Sequence, residues 1–191
     1  MFNKSRNWLS QPAALSTALF IMLFTLISNT YAADEIVGMR VDDFELIDHT
    51  GTAQRLYYHD DAPAIVLMIQ GNGCPIVRNV MPSLHAVRDE YADKGVQFFL
   101  VNSNLQDTRE SIAAEVEEFG YSIPVLKDAY QLVGESLNVS RTAEVFVIDP
   151  KSKTVVYHGP VDDRVTYEIQ KSKAENTYLA DALDAVLAGQ K

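Results

Sequence analysis

Cysteine occurs once in this 191-residue chain, at position 74, and tryptophan once, at position 8. A single thiol excludes any intramolecular disulfide, so Cys74 must stay free, oxidise or bond to another molecule. Lysine and arginine are scarce against aspartate and glutamate, 16 to 26, which leaves a net charge of −10. An acidic surface repels nucleic acid and anionic lipid, so neither is an expected partner. His49, His59, His85 and His158 have no close metal-ligand spacing. A soft copper site built from Cys74 with Met81 or His85 would run down a helix and not converge on one point. No metal or other cofactor is therefore expected. The chain also lacks internal repeats, low-complexity tracts, a phosphate loop, a dinucleotide fingerprint and an ordered Ser/His/Asp set.

One apolar run stands near the start, over 13–27, and is short for a bilayer span of about 20 residues. Lys4 and Arg6 precede it, and Thr30-Tyr31-Ala32 offers a cleavage site before Ala33. This is the pattern of a secretory signal over 1–32, followed by one domain over 33–191. Export, most simply to a periplasm, is the expected location; an uncleaved leader would be the only tie to a membrane. Cleavage would remove two basic residues, no acidic one and Trp8, taking the charge to −12.

The most informative segment is Gly71-Asn72-Gly73-Cys74-Pro75-Ile76-Val77-Arg78-Asn79-Val80-Met81-Pro82. It follows the apolar run 64–69, a buried strand, and opens a segment of helical periodicity. Proline suits the first helical position, which places Cys74 at the N-cap. The orphan amides and positive end of the helix dipole then face the sulfur and favour thiolate over thiol. The alternative is an inert core cysteine, but Gly71, Gly73 and Pro75 indicate a turn.

Further elements are expected as follows. A hairpin spans 39–58 around Asp48-His49-Thr50-Gly51. The helix from Pro75 reaches about Asp93, with a kink at Pro82. A second buried strand covers 96–101. Asp107-Thr108-Arg109-Glu110 has capping-box form with Asp107 as cap, starting a helix with Ile112, Val116 and Phe119 inward. A short helix covers 130–137. Strands at 144–148 and 154–157 form a hairpin, a polar loop covers 161–176, and a last helix runs over 175–188 to Gly189. Alternating strands and helices with that closing hairpin give an α/β fold with a central mixed sheet flanked by helices and an N-terminal β-hairpin.

These residues resemble the thioredoxin-like redoxins, the group holding AhpC/TSA-type peroxiredoxins and exported thiol–disulfide oxidoreductases. The blocks that carry the likeness are Gly38 to Leu46 with Asp48-His49-Thr50-Gly51, Cys74 to Pro82, Ile123 to Asp128, Arg141 to Asp149, and Tyr157-His158-Gly159 with Val161 to Arg164. The last block is similar to one in redoxins that occur beside cytochrome domains. The resemblance implies a thioredoxin-like fold and Cys74 as the attacking sulfur. Three places depart from the family pattern. Val77 stands where dithiol members have a second cysteine, Gly71 where peroxiredoxins have threonine, and Ala143 where a cis-proline is usual. A cis bond before alanine costs about 3–4 kcal/mol, so Thr142–Ala143 is expected to be trans.

The expected function is that of a single-cysteine thiol oxidoreductase with antioxidant or redox-homeostasis activity. Cys74 attacks a peroxide or disulfide, and an external thiol or a partner protein's cysteine resolves the product. Pro75, Arg78, Arg141, Thr142 and Ala143 are expected to support the thiolate or contact substrate. The competing expectation is a non-catalytic module docking a cytochrome or other respiratory partner.

Overall fold

The computed structural model describes residues 36–165 and 170–190. The leader expected over 1–32 lies outside the described residues. The chain order is β1 (Glu45–Asp48), β2 (Ala53–Arg55), a 3-10 turn (Leu56–His59), β3 (Ile65–Ile69), α1 (Pro75–Ala92), β4 (Gln97–Asn102), α2 (Arg109–Phe119), β5 (Val125–Lys127), α3 (Leu132–Ser136), β6 (Val145–Asp149), β7 (Thr154–Gly159) and α4 (Tyr178–Leu187).

Seven strands form one mixed sheet in the order β2-β1-β5-β4-β3-β6-β7. The centre is parallel, with Val66 opposite Phe98 and Leu100 opposite Val125. Antiparallel partners flank it: β6 lies on β3, with Leu67 opposite Phe146, and β1 lies on β5 and β2. All five residues of β3 are buried, as a strand covered on both faces requires. Val66 and Met68 join a core with Val77, Val80 and Leu84 of α1 and with Leu179 and Leu183 of α4. Ile65, Leu67 and Ile69 point the other way, into a core with Val133 and Leu137. The alternation is the two-residue period of a strand. This is the α/β thioredoxin-like architecture expected from the sequence.

Several local readings are corrected. The cap of α2 is Thr108, whose hydroxyl accepts from Ser111 N while Ser111 Oγ accepts from Thr108 N. Asp107 is drawn instead into a tertiary network described below. Phe119 is 37% exposed, not inward, and lies beneath the Arg78 guanidinium. Helix α1 itself has the extent expected from the sequence, Pro75–Ala92 with Asp93 as its C-cap and Pro82 inside it. The block 123–128, for which no strand is expected above, contains β5 (Val125–Lys127). Helix α4 starts only at Tyr178, because Asp163 engages Glu175 N at 2.8 Å and Asn176 N at 3.1 Å.

Candidate active site

Strand β3 ends at Ile69, and the chain turns through Gln70-Gly71-Asn72-Gly73 into α1. Gly73 takes φ +76°, a conformation that glycine adopts without steric penalty. Cys74 is the N-cap, at φ −71° and ψ 114°, with Pro75 opening the helix. Its amide donates to Gly71 O at 3.2 Å, and its carbonyl accepts the first helical bond from Arg78 N. The thiol is half-buried at the edge of the core. The side chain takes no capping hydrogen bond. Sγ lies instead 3.1 Å from Thr142 Oγ1, across 68 residues of sequence. The sulfur thus sits at the helix start, as its sequence position implies, but its side-chain partner is a hydroxyl and not an α1 amide.

A polar network that sequence reading missed fixes the preceding loop. Asp107, 8% exposed, accepts from Asn72 N at 3.0 Å, Asn102 Nδ2 at 2.9 Å and Asn104 Nδ2 at 3.1 Å through one oxygen. Asn102 also donates to the buried Gln70 Oε1 at 2.7 Å. Glu115 of α2 accepts from Gly73 N at 2.9 Å. Its partner is Arg78, at 3.2 Å through Nη2 and 3.4 Å through Nε. Burial and the charge of Glu115 push the Tyr121 phenol up to about 12. The only sequence signal was indirect: carboxylates at 107 and 115 sit on the segment following β4, whose end adjoins the end of β3 in a parallel pair.

The other wall is the loop before β6. Ala143 N donates to Ile69 O at 2.8 Å, and Ile69 N donates to Glu144 O at 2.9 Å. Ala143 takes φ +64°, and the described residues contain no cis peptide bond, so Thr142–Ala143 is trans. Glu144 is buried and accepts from Ser140 N at 3.1 Å and Ser140 Oγ at 2.6 Å. Arg141 Nε lies 3.5 Å from Glu144, and His158 Nε2 lies 4.0 Å from it. Thr142 is therefore brought to Cys74. The two candidate cations are each engaged by a carboxylate, Arg78 by Glu115 and Arg141 by Glu144. A cleft of about 660 Å³ opens beside Gly71 and Thr142, with Ser103, Gln131, Ser140 and Arg141 among its walls.

Such an arrangement suits nucleophilic sulfur chemistry: one reachable sulfur at a helix start, with a hydroxyl beside it and a polar cleft alongside. Fold and site together define a thioredoxin-like redoxin. The chain belongs to the AhpC/TSA family, whose model matches residues 37–158. Among curated proteins it is similar to the thiol–disulfide oxidoreductase ResA of Halalkalibacterium halodurans, with 25% identity over 176 residues covering 90% of this chain and 97% of that protein. Among solved structures it is similar to a hypothetical protein of Sinorhizobium meliloti, at 32% identity and TM-score 0.69, covering 81% of this chain and 86% of that one. An uncharacterized conserved protein of Geobacillus kaustophilus gives 30% identity and TM-score 0.71, covering 81% and 83%.

Proposed function

We propose that this protein is an exported single-cysteine thiol oxidoreductase in which Cys74 is the nucleophile. The observation that carries the reading is the half-buried sulfur at the N-cap of α1 with the Thr142 hydroxyl 3.1 Å from it. The Cys74 thiolate attacks one sulfur of a disulfide. A new S–S bond forms to Cys74, the old one breaks, and the departing thiolate takes a proton from solvent. With a peroxide, the attack instead leaves a sulfenic acid and an alcohol or water. Condensation with an external thiol then gives the mixed disulfide and water. In both cases an external thiolate attacks the mixed disulfide and frees Cys74 as thiolate. Export rests on the leader pattern over 1–32, and no helix among the described residues is long and apolar enough to cross a membrane.

One observation favours a second reading. Val77, at the place of the family's second cysteine, is fully buried in the core, which suits a fold kept to dock a respiratory or cytochrome-related partner without turnover. The two readings are separated by treating the full chain with an aromatic disulfide reagent, and separately with peroxide plus dimedone. The enzyme releases one thiol per chain rapidly and traps a dimedone adduct or a reducible mixed disulfide, and Cys74→Ser does neither. A wild-type chain as inert as C74S overturns the catalytic reading.

A further inference from the structure

Position 71 lacks the side-chain hydroxyl that the family's peroxidases place there, yet a hydroxyl still reaches the sulfur. We propose that Thr142 supplies it: its Oγ1 is the hydrogen-bond donor that holds the Cys74 thiolate, in exchange for a side chain at position 71. The inference rests on the reading of Cys74 as nucleophile and adds the residue that steadies it.

Three observations converge. Thr142 Oγ1 is 3.1 Å from Sγ. A thiolate has no proton to give, so in the reactive state the hydroxyl is the donor. The second observation is steric. A Cβ built on Gly71 would stand 3.2 Å from Thr142 Cγ2, tighter than a packed core accepts without a shift. Side chains at 71 and 142 compete for one space, and this chain fills it from 142. The third is aim. The Ala143 amide and Glu144 carbonyl lock the loop onto Ile69, while the Glu144 carboxylate closes it over Ser140. Thr142 is held between these anchors.

The cations on the two walls of the site each have a carboxylate partner. Arg78 faces Glu115 on the Gly73 side, and Arg141 faces Glu144 beneath the Thr142 loop, with His158 4.0 Å from the same carboxylate. The hydroxyl serves both halves of the cycle. It steadies Cys74 before attack and again as the leaving group when an external thiolate breaks the mixed disulfide. No bond to Thr142 is made or broken in either half.

The test is the rate of alkylation of the full-length chain by iodoacetamide as a function of pH, for the wild type, Thr142→Val and Thr142→Ser. Valine keeps the shape and removes the hydroxyl; serine keeps the hydroxyl. Losing a hydrogen bond to a charged sulfur moves the half-maximal pH of the T142V profile up by about one unit, with the high-pH plateau raised by up to about threefold because a more basic thiolate is the better nucleophile. T142S returns the profile to that of the wild type. A purely structural role for Thr142 would leave the midpoint in place. If T142V superimposes on a reactive wild type, the Thr142 assignment is overturned and Cys74 stands. If the wild type itself is not alkylated, the nucleophile reading fails and this inference with it.

Discussion

Loop 70–74 and loop 140–144 meet at one sulfur but are held by different means. The first is fixed from outside, through Asp107 and Glu115 on the segment after β4, which grip the amides of Asn72 and Gly73. The second is fixed largely from within, by Glu144 folding back on Ser140 and by two backbone bonds to Ile69. The difference separates two tasks. The externally braced loop sets where α1 begins, and hence where Cys74 stands. The self-closed loop sets what touches the sulfur. Damage to the first should be felt throughout the molecule, and damage to the second mainly at the thiol.

The largest effect is expected from Asp107→Ala. It leaves the Asn72 N–H and one N–H of the buried Asn102 amide without their acceptor, the other still reaching Gln70, and should destabilise the fold by about 3 kcal/mol. Urea unfolding measures it. A loss under about 1 kcal/mol would mean that the first loop is not braced from outside. A smaller effect is expected where the loops touch. Gly71→Thr crowds Thr142 Cγ2 and should lower stability by about 1 kcal/mol. The same substitution should slow alkylation of Cys74 at neutral pH, because Thr142 is pushed off its position. Unchanged alkylation would show that the second loop yields without consequence.

The smallest effect lies away from both loops and serves as a reference. Burial raises the affinity of Asp48 for a proton, but bonds from Thr50, Thr52 and Gln54 outweigh it and hold the carboxyl below its ordinary value. A depressed folded value adds stability above the unfolded carboxylate range, and that stability is lost as pH falls through the folded value. The advantage of the wild type over Asp48→Asn should therefore be full at neutral pH and vanish in acid, with Cys74 alkylation unaffected. Thermal unfolding against pH measures the first part. An advantage that persisted in acid would contradict the assignment.

What the sequence made legible was local. The apolar run at 64–69 contains β3, because a short continuous apolar run bounded by turn residues suits a strand buried on both faces. Pro75 marks the start of α1 because a proline at the first turn forfeits no hydrogen bond. Cys74 was legible for the same reason. The long-range decisions were not. Asp107 looks like a cap by its neighbours, but the end of β4 carries Asn102 beside it, and three amide groups outcompete the helix start. Phe119 has inward periodicity, yet Arg78 from α1 stacks on its ring at 3.9 Å and keeps it at the surface. β5 is three residues long, and only its partners on both sides, β1 and β4, make it a strand. The Thr142 contact spans 68 residues; the resemblance named Thr142, but the residues of either segment alone do not specify that its hydroxyl is what meets the sulfur.

The left-handed backbone of Ala143 limits which residues the position accepts. Proline is confined to φ near −65° and carries no amide hydrogen, whereas this residue sits at +64° and donates to Ile69 O. A proline in its place would forfeit that donor and demand a torsion the ring forbids. The surrounding turn would have to be rewritten at the same time. Substitution by proline alone is thus barred by geometry, and glycine is the most permissive replacement at this torsion.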